Sequence, residues 1–431
     1  MKRIFLQFYR LAVVCIIVWL IRDLAVRQRT HGDSPIVVEE IKGFFPAAAR
    51  LRPDDSARDG LFVLDREARE LGYVVRTQPQ CQDIIGYAGV SDVLIVLDRD
   101  WKIVGLKVHA SEDTRDYVNN VSLDRRFLKK WNGLTWDAAA GLDLEKAGIE
   151  GVSGATMTSM AMARSVKARL QLHRDELVAR PALRWGWRDG GMLAVLAAAA
   201  LMAFGPVAWR HRWKRPYQIA LMVYVGFVAG DLVAEKLLAG WARGGVPWTT
   251  APGLVLLVAA ALLVPWATRV PFYCHHVCPH GAAQELLWQL RWRWRRGKPD
   301  GNPAVQPRLP AGAARGFAWL PAGLLVVVVM VTMLALPLDL AGLEPFAAYV
   351  VRSAGWATLA VASVGLVVSW FVPQAYCRFG CPTGAVLNFV RARGPTDRFS
   401  RRDAAALALV ALALVLNWKY LELITWVKGV A

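Results

Sequence analysis

Cysteine is scarce in this sequence, with six residues among 431. Four of them fall in two similar blocks and Cys15 and Cys81 are isolated, so the chain lacks the paired framework of a small disulfide-rich domain. Acidic residues are also few, since 34 Asp and Glu face 52 Lys and Arg, a formal net charge of +18. Such an excess accompanies either nucleic-acid binding or cytoplasmic membrane loops, and the positions of the charges decide between them.

Apolar residues, by contrast, are abundant. They make up 55% of the chain, and the mean hydropathy of +0.31 is high for a soluble protein. Seven apolar runs could each cross a hydrocarbon core of roughly 30 Å as a helix. They lie at about 11–26, 190–208, 218–239, 251–268, 317–338, 354–373 and 403–421. The polar stretch 27–185, between the first two runs, has the size of a domain.

The basic residues mark one end of these runs. Loops 209–217, 269–315 and 376–402 hold eighteen Lys and Arg, whereas loops 240–249 and 341–353 hold one each. We therefore expect the first three loops in the cytoplasm and the domain-sized stretch on the opposite face. Topology explains most of the positive charge, so we do not expect nucleic-acid binding. No small-residue cleavage site follows the first run, which favours an uncleaved anchor.

The extracytoplasmic stretch contains both strand and helix patterns. Segments 92–98 and 102–110 are rich in β-branched residues and are separated by a turn, which predicts a hairpin. A short helix ending at Gly133 follows, and then a longer helix over about 155–176, with Ser153 as its N-cap.

The start of that longer helix suits a phosphate group. Gly154 and Ala155 allow a ligand to approach the backbone, and the first-turn N–H groups and helix dipole favour an anion. Thr156, Thr158 and Ser159 add hydroxyl groups. Taken alone, this pattern is more often an ordinary helix cap than a phosphate site.

The surrounding order, "GYAGVSDVLIVLDRDWKIVGLKVHASEDTRDYV" followed by "EGVSGATMTS", resembles the FMN-binding domain of the NosR/NirI, RnfG and NqrC proteins over about residues 80–180. In that family a motif Asp-x-x-Ser/Thr-Gly-Ala-Thr carries FMN through a phosphoester to its last threonine, attached by a separate flavin transferase. The matching residues are Glu150, in place of the usual Asp, and Ser153, Gly154, Ala155 and Thr156. The resemblance implies covalent FMN on Thr156 and, from "SEDTRDYV", flavin contacts from Glu112 and Thr114.

The four clustered cysteines form an internal repeat. "YCHHVCPHGA" at 273–282 and "YCRFGCPTGA" at 376–385 share the pattern Tyr-Cys-x-x-x-Cys-Pro-x-Gly-Ala. Each block follows an apolar run that ends on the cytoplasmic side, so each copy delivers two thiols to one rim. The set is Cys274, Cys278, Cys377 and Cys381.

Four cysteines are the usual ligands of an iron–sulfur cluster or a structural zinc. We favour the cluster, of which 4Fe–4S is the expected form. Zinc, a redox dithiol pair and cysteines without metal remain alternatives. The spacing is not that of bacterial ferredoxins, so a ferredoxin fold is not implied.

This half of the chain, about 190–425, resembles the NapH and NosR membrane proteins, which carry two Cys-x-x-x-Cys-Pro motifs after membrane helices. The complete order is that of NosR/NirI, except that those proteins usually continue into a cytoplasmic ferredoxin-like domain and this sequence ends at Ala431. We therefore predict a multidomain membrane protein. It has an N-terminal anchor (1–28), an extracytoplasmic α+β FMN-binding domain (29–185) and a six-helix transmembrane domain (186–431) with an internal two-fold repeat.

Other polar residues near the repeat are harder to interpret. His275, His276 and His280 are absent from the second copy, which favours interfacial side chains over haem or cluster ligands. Asp231 and Glu235 are four residues apart in the third apolar run, which suggests either reach to the interface or a proton-linked role, for instance at a quinol pocket.

We expect a transmembrane electron conduit of a bacterial inner membrane. Electrons would pass between a cytoplasmic-side cluster and periplasmic FMN, with a separate electron donor and a periplasmic redox acceptor. Because about 30 Å of hydrocarbon separates the rims, a deep cluster, a swinging domain, or a bridging quinone or haem is required. The alternatives are a redox sensor or assembly factor for a periplasmic metalloenzyme, and a metal transporter.

Overall fold

In a computed structural model, the protein forms two compact units. One contains Val26–Ala182 and Arg243–Pro247, and the other contains Met1–Ala25, Leu183–Ala242 and Trp248–Ala431. The structure describes residues 2–31, 35–54, 56, 58–172, 183, 185–294, 311–336, 338–350, 354–393 and 397–420. Parts of the basic loops, including 295–310 and 394–396, lie outside these described residues, as does Arg352 in the loop 341–353.

The first unit is built on a five-stranded antiparallel sheet whose strands follow chain order. They are β1 (Arg50–Pro53), β2 (Leu61–Leu64), β3 (Glu70–Arg76), β4 (Ser91–Leu97) and β5 (Ile103–Ser111). The predicted hairpin is confirmed as β4 and β5, which pair antiparallel from Ser91 opposite Ser111 to Leu97 opposite Ile103.

Short helices and one long helix complete this unit. They are α2 (Val38–Ile41), α3 (Arg115–Leu123), α4 (Arg125–Lys129), α5 (Trp136–Ala140) and α6 (Thr156–Gln171). The predicted short helix before Gly133 is confirmed as α4, which Asp124 caps and which ends at Lys129, whereas α3 lies before it and was not predicted. The predicted long helix is confirmed from Thr156 onward, and its expected last residues, 173–176, lie outside the described residues.

Strand β4 lies at the centre of the unit, and all seven of its residues are buried. On one face Leu94 and Val96 pack with Ile41 and Val74. Helix α6 also packs against β4, which explains why the strand is an almost continuous apolar run. Arg169 of α6, only 2% exposed, donates from Nε to the carbonyl oxygen of Arg76 at 2.8 Å and so ties the helix to β3.

The second unit is helical. Its helices are α1 (Lys2–His31), α7 (Trp187–Phe204), α8 (Val207–Leu221) with a π-helical continuation (Met222–Ala229), α9 (Glu235–Gly244), α10 (Pro252–Ala267), α11 (Phe272–His276), α12 (Pro279–Trp294), α13 (Ala311–Phe317), α14 (Leu320–Leu334), α15 (Trp356–Phe371), α16 (Ala375–Phe379), α17 (Pro382–Val390) and α18 (Arg401–Trp418). Two 3-10 helices, Leu340–Leu343 and Phe346–Tyr349, precede α15.

The internal repeat is visible in these elements. Helices α10 and α15 have 16 residues each, and each is followed by a five-residue helix, α11 or α16, that carries the first cysteine of its block. Helices α12 and α17 then begin at the prolines of the two blocks, Pro279 and Pro382, because proline fits the first helical turn.

The prediction of one continuous helix over 218–239 is wrong. The helix ends at Ala229, Gly230 takes a left-handed φ of +69°, and α9 starts at Glu235. An equivalent interruption follows α14, where Ala335 has φ +51°. The tyrosine of each cysteine block hydrogen-bonds the backbone in the segment that follows one of these breaks. Tyr273 Oη accepts from the Val233 amide, and Tyr376 Oη donates to the carbonyl oxygen of Leu343.

Two described helices are long and apolar enough to cross a membrane, Trp187–Phe204 and Arg315–Leu334, judged by length and composition. Helices α10 and α15 are apolar but shorter. Two such helices are fewer than the six of the predicted transmembrane domain, so the six-helix domain stays a prediction.

The first and last helices of this unit pack together. Leu20 and Leu24 of α1 share an apolar cluster with Met333 of α14 and Leu416 of α18. At the other end of α1, the fully buried guanidinium of Arg10 bonds two carboxylates, Asp397 at 2.7 Å and Asp403 at 2.8 Å.

Candidate functional site

The start of α6 is shaped by a glycine turn. Gly154 has φ +83°, a left-handed conformation that favours glycine, and Ala155 is the N-cap with no side-chain bond. Ser153 is therefore not the N-cap, and that prediction is wrong because the turn at Gly154 places its side chain in an exposed position. The backbone N–H of Val152 instead donates to Ser159 Oγ at 2.9 Å.

Thr156, the predicted attachment residue, begins this helix and is half-buried. Its Oγ1 donates to the carbonyl oxygen of Val152 over 3.3 Å, so the hydroxyl is held but not enclosed. Gly151 packs directly against it, because a Cβ at position 151 would lie 2.4 Å from Thr156 Cγ2.

A buried carboxylate that the sequence pattern did not single out connects this helix to the sheet. Asp113 is 4% exposed and accepts from Thr158 Oγ1 at 2.7 Å and from the amides of Tyr87, Ala88 and Thr114 at 2.7–2.9 Å. Burial raises the pKa of Asp113, while the hydrogen bonds from Thr158 and the three amides oppose the shift because they favour the carboxylate.

Two glycines allow the loop 86–89 to wrap around this carboxylate. A Cβ at Gly86 would lie 2.2 Å from Asp113 Oδ2, and one at Gly89 would lie 2.7 Å from the Glu112 backbone. The sequence signal for this arrangement is the pattern Gly-x-x-Gly at 86–89, which precedes the acidic residue Asp113 by 24 to 27 positions.

The residues predicted to contact flavin occupy different environments. Thr114 is 2% exposed, and its Oγ1 is buried with no hydrogen-bond partner among the described residues. Glu112 is half-buried beside it, whereas Glu150 is exposed at the surface. A buried hydroxyl without a partner one residue from Asp113 is consistent with a contact to a bound group, so this part of the site fits FMN.

The four cysteines of the repeat line one cavity in the helical unit. Cys278 and Cys381 are buried, and Cys274 and Cys377 are half-buried. The remaining lining residues are Tyr273, His280, Phe346, Tyr376, Thr383 and Gly384. The structure thus brings together all four predicted ligands from segments about 100 positions apart.

Hydrogen-bond donors already point at the sulfur atoms. The amide of Gly281 donates to Cys278 Sγ at 3.4 Å, and the amide of Gly384 donates to Cys381 Sγ at 3.1 Å, at equivalent places in the two copies. Such N–H···S bonds stabilise negative charge on thiolate ligands.

Gln284 of α12 links the two copies. Its Nε2 donates to Cys377 Sγ at 3.1 Å, and its Oε1 accepts from Ser369 Oγ at 2.7 Å and from the Tyr376 amide at 3.2 Å. No sequence signal indicated this role, because position 284 lies outside the shared block.

The thiol set fits a metal cluster. Burial raises the pKa of Cys274 to about 12 and that of Cys377 to about 11, so thiolates here require a compensating positive charge such as metal supplies. Among the described residues, no three His, Cys, Asp or Glu side chains are arranged to hold a single metal ion. Four thiols that line one cavity are the donor set that an iron–sulfur cluster or a structural zinc uses.

The histidines beside the first block do not behave alike. His275 is exposed and His276 is half-buried, but His280 is fully buried, so the prediction of an interfacial side chain is wrong for His280. Its position inside the block places it at the first turn of α12, which faces the cavity rather than the surface.

The two acidic residues of the third apolar run are also separated. Asp231 lies in the break after Gly230, and Glu235 opens α9, so they do not share a helical face. Glu235 is 5% exposed, which rules out reach to the interface, and its amide donates to Glu344 Oε2 at 2.6 Å. A proton-linked role for Glu235 stays a prediction.

The isolated cysteines lie apart from both sites. Cys81 is buried and bonds the carbonyl oxygen of Ser165 at 3.4 Å, and burial raises its pKa to about 12, so it is a packed thiol of the first unit. Cys15 lies on α1.

Comparison with known proteins adds chemistry to both sites. A family model described as an FMN-binding domain matches residues 86–171, which include Asp113 and Thr156. A model described as a 4Fe-4S binding domain matches 250–298 and 354–401, which include all four clustered cysteines. No solved structure matches the chain. The chain therefore carries the two domains of a flavo-iron–sulfur protein.

Two curated proteins are similar to it. The protein named YccM of Escherichia coli (strain K12), which its name assigns provisionally to electron transport, is 25% identical over 219 residues. The regulatory protein NosR of Pseudomonas aeruginosa is 33% identical over 219 residues. The matches cover 48% and 50% of this chain, and 59% and 27% of the two relatives, so the chain spans only part of either.

Proposed function

We propose that this protein transfers electrons across a bacterial inner membrane, between a 4Fe–4S cluster held by Cys274, Cys278, Cys377 and Cys381 and an FMN esterified to Thr156. The observation that carries the proposal is the shared cavity of the four cysteines in a chain that also bears an FMN-binding domain. When bound, FMN supplies one- and two-electron chemistry and the cluster supplies one-electron chemistry.

The residues of the chain have definite tasks in this proposal. The amides of Gly281 and Gly384, with Gln284, favour thiolate ligands and fix their positions. Asp113 holds α6 against the sheet through Thr158, which keeps the Thr156 hydroxyl in place for the flavin transferase.

The placement of the two sites follows from charge. The basic loops that follow the cysteine blocks favour the cytoplasmic side for the cluster, and the FMN domain is then periplasmic. The donor to the cluster is a separate partner on the cytoplasmic side or in the membrane, and the acceptor from the flavin is a periplasmic redox protein. A quinone or a haem is the candidate bridge between the two sites.

Flavin attachment is tested on a denaturing gel of the full chain co-expressed with a flavin transferase. Wild type is expected to give a fluorescent band, Thr156→Ser to keep it because the hydroxyl remains, and Thr156→Val to lose it. Fluorescence in Thr156→Val would rule out this attachment residue.

The shared cluster is tested by iron and acid-labile sulfide analysis. Cys274→Ser and Cys377→Ser remove one ligand from each copy, and both are expected to lose most of the iron. Cys81→Ser, in the other unit, is the control and is expected to keep it. Full iron in either ligand variant would mean that the two copies do not share one cluster.

A redox sensor or an assembly factor for a periplasmic metalloenzyme is the second candidate. The observation that favours it is the similarity to a relative named as a regulatory protein. Electron exchange between the two cofactors separates the candidates, because a sensor does not require turnover.

A further inference from the structure

The cysteine cavity is asymmetric at one position. The residue after the proline of each block lines the cavity in both copies, but it is His280 in the first and Thr383 in the second. Thr383 Oγ1 donates to Glu344 Oε1 at 2.5 Å. One ring nitrogen of His280 has no such hydrogen-bond partner among the residues that the structure describes.

The His280 ring is held firmly and enclosed. The residue is 0% exposed, its Nδ1 lies 3.1 Å from Tyr349 Oη, and Tyr376 packs against it edge-on with ring centroids 5.3 Å apart. The other ring nitrogen, Nε2, is buried and has no hydrogen-bond partner among the described residues. His280 lines the cysteine cavity, and its Nε2 lies near Gly365 of α15, where a Cβ would be 3.3 Å away. A buried polar atom without a partner in a cavity-lining residue indicates a group that binds there.

The hydrogen bond to Tyr349 decides which nitrogen carries the proton. Tyr349 is 7% exposed, and His280 Nδ1 is the acceptor that the described residues offer to its hydroxyl. A buried hydroxyl donates its proton in a hydrogen bond when an acceptor is available. Nδ1 is then the acceptor, and the ring proton lies on Nε2.

We propose that His280 donates a hydrogen bond from Nε2 to the cluster bound in the cysteine cavity, to a sulfide or a thiolate sulfur, and thereby raises the cluster's reduction potential. This inference rests on the cluster of the proposed function. His280 is a positioning residue held in one tautomer by Tyr349, and it makes the first copy of the repeat electronically different from the second.

The physical effect follows from charge. Reduction adds negative charge to the cluster, and a hydrogen-bond donor stabilises that charge, so removing the donor favours the oxidised form. A bond to a charged group is worth enough to change an equilibrium by about tenfold. The ratio of reduced to oxidised cluster at a fixed potential is therefore expected to fall about tenfold without the donor.

The experiment is a redox titration of the purified full chain, followed by electron paramagnetic resonance, with iron and sulfide measured in each sample. His280→Leu is expected to lower the potential, and Tyr349→Phe to lower it less, because the Nε2–H tautomer is no longer imposed. His280→Gln keeps a donor and is expected to stay nearer wild type. His275→Leu, on the exposed side of the same block, is the control without a shift.

A second readout distinguishes donation from coordination. An exchangeable proton coupled to the reduced cluster is expected in wild type and not in His280→Leu. Full iron with an unchanged potential in both His280→Leu and Tyr349→Phe would overturn the proposal, as would a directly coordinated nitrogen in wild type. If His280→Leu fails to assemble a cluster, Tyr349→Phe still decides. Absence of a cluster from wild type would instead overturn the proposed function.

Discussion

The carboxylate of Asp113 gives the sharpest prediction for the flavin unit. Four donors converge on its two oxygens, so Asp113→Asn keeps the shape but replaces one acceptor oxygen by an NH2 group. Two buried donors then lose their partner. At about 1–3 kcal/mol for each unsatisfied group, local opening becomes easier by about 3 kcal/mol.

Amide hydrogen exchange in the full chain measures this cost. The amides of Tyr87, Ala88 and Thr114 are expected to exchange about a hundredfold faster in Asp113→Asn, since about 1.4 kcal/mol corresponds to a factor of ten. Asp124→Asn is the matched control, because Asp124 caps α4 by accepting two amide bonds at 3.0 Å and Asn caps a helix nearly as well. Unchanged exchange at these amides in a folded Asp113→Asn protein would refute the assigned role.

Two further predictions concern the helical unit. Gly281→Ala would place a Cβ 2.6 Å from the carbonyl oxygen of Cys274 and is expected to lower the iron content at least about twofold. At Gly384 the atoms nearest to an added Cβ lie 3.4–3.6 Å away, so Gly384→Ala is expected to keep its iron. Equal iron in the two variants would contradict the close backbone approach at Gly281. Arg10→Met removes the nearest cation from two buried carboxylates, which keep longer ion pairs to Arg402 at 3.4 and 3.8 Å. We expect it to cost about 1.5–3 kcal/mol in thermal unfolding, with Arg10→Lys intermediate, and a melting temperature equal to wild type would argue against the ion pair.

The sequence predicted the parts of the fold that depend on local pattern. The hairpin of β4 and β5 and the start of α6 follow from β-branched runs, a turn and a small-residue junction. The cap was mistaken because hydroxyl residues crowd the junction, and only the left-handed turn at Gly154 shows which of them reaches an amide.

Features that depend on contacts between distant segments could not be predicted from the sequence pattern. The apolar run 218–239 contains Gly230, Asp231 and Glu235 at the break, but hydropathy averaged over a window of membrane-spanning length does not show where a helix is interrupted. The cysteine set was predictable because the motif repeats, whereas Gln284 and His280 act in one copy only. Asp113 was passed over for its neighbours because a carboxylate's burial is set by the loop that folds over it.

Electron exchange between the two cofactors tests the central claim most directly. The full chain, loaded with flavin and iron, is placed in sealed vesicles with the cysteine loops outward, and a membrane-impermeant reductant is added outside. We predict that the flavin absorbance bleaches in wild type and not in Cys377→Ser. Persistent oxidised flavin in wild type at full cofactor occupancy, or equal bleaching in Cys377→Ser, would contradict the account.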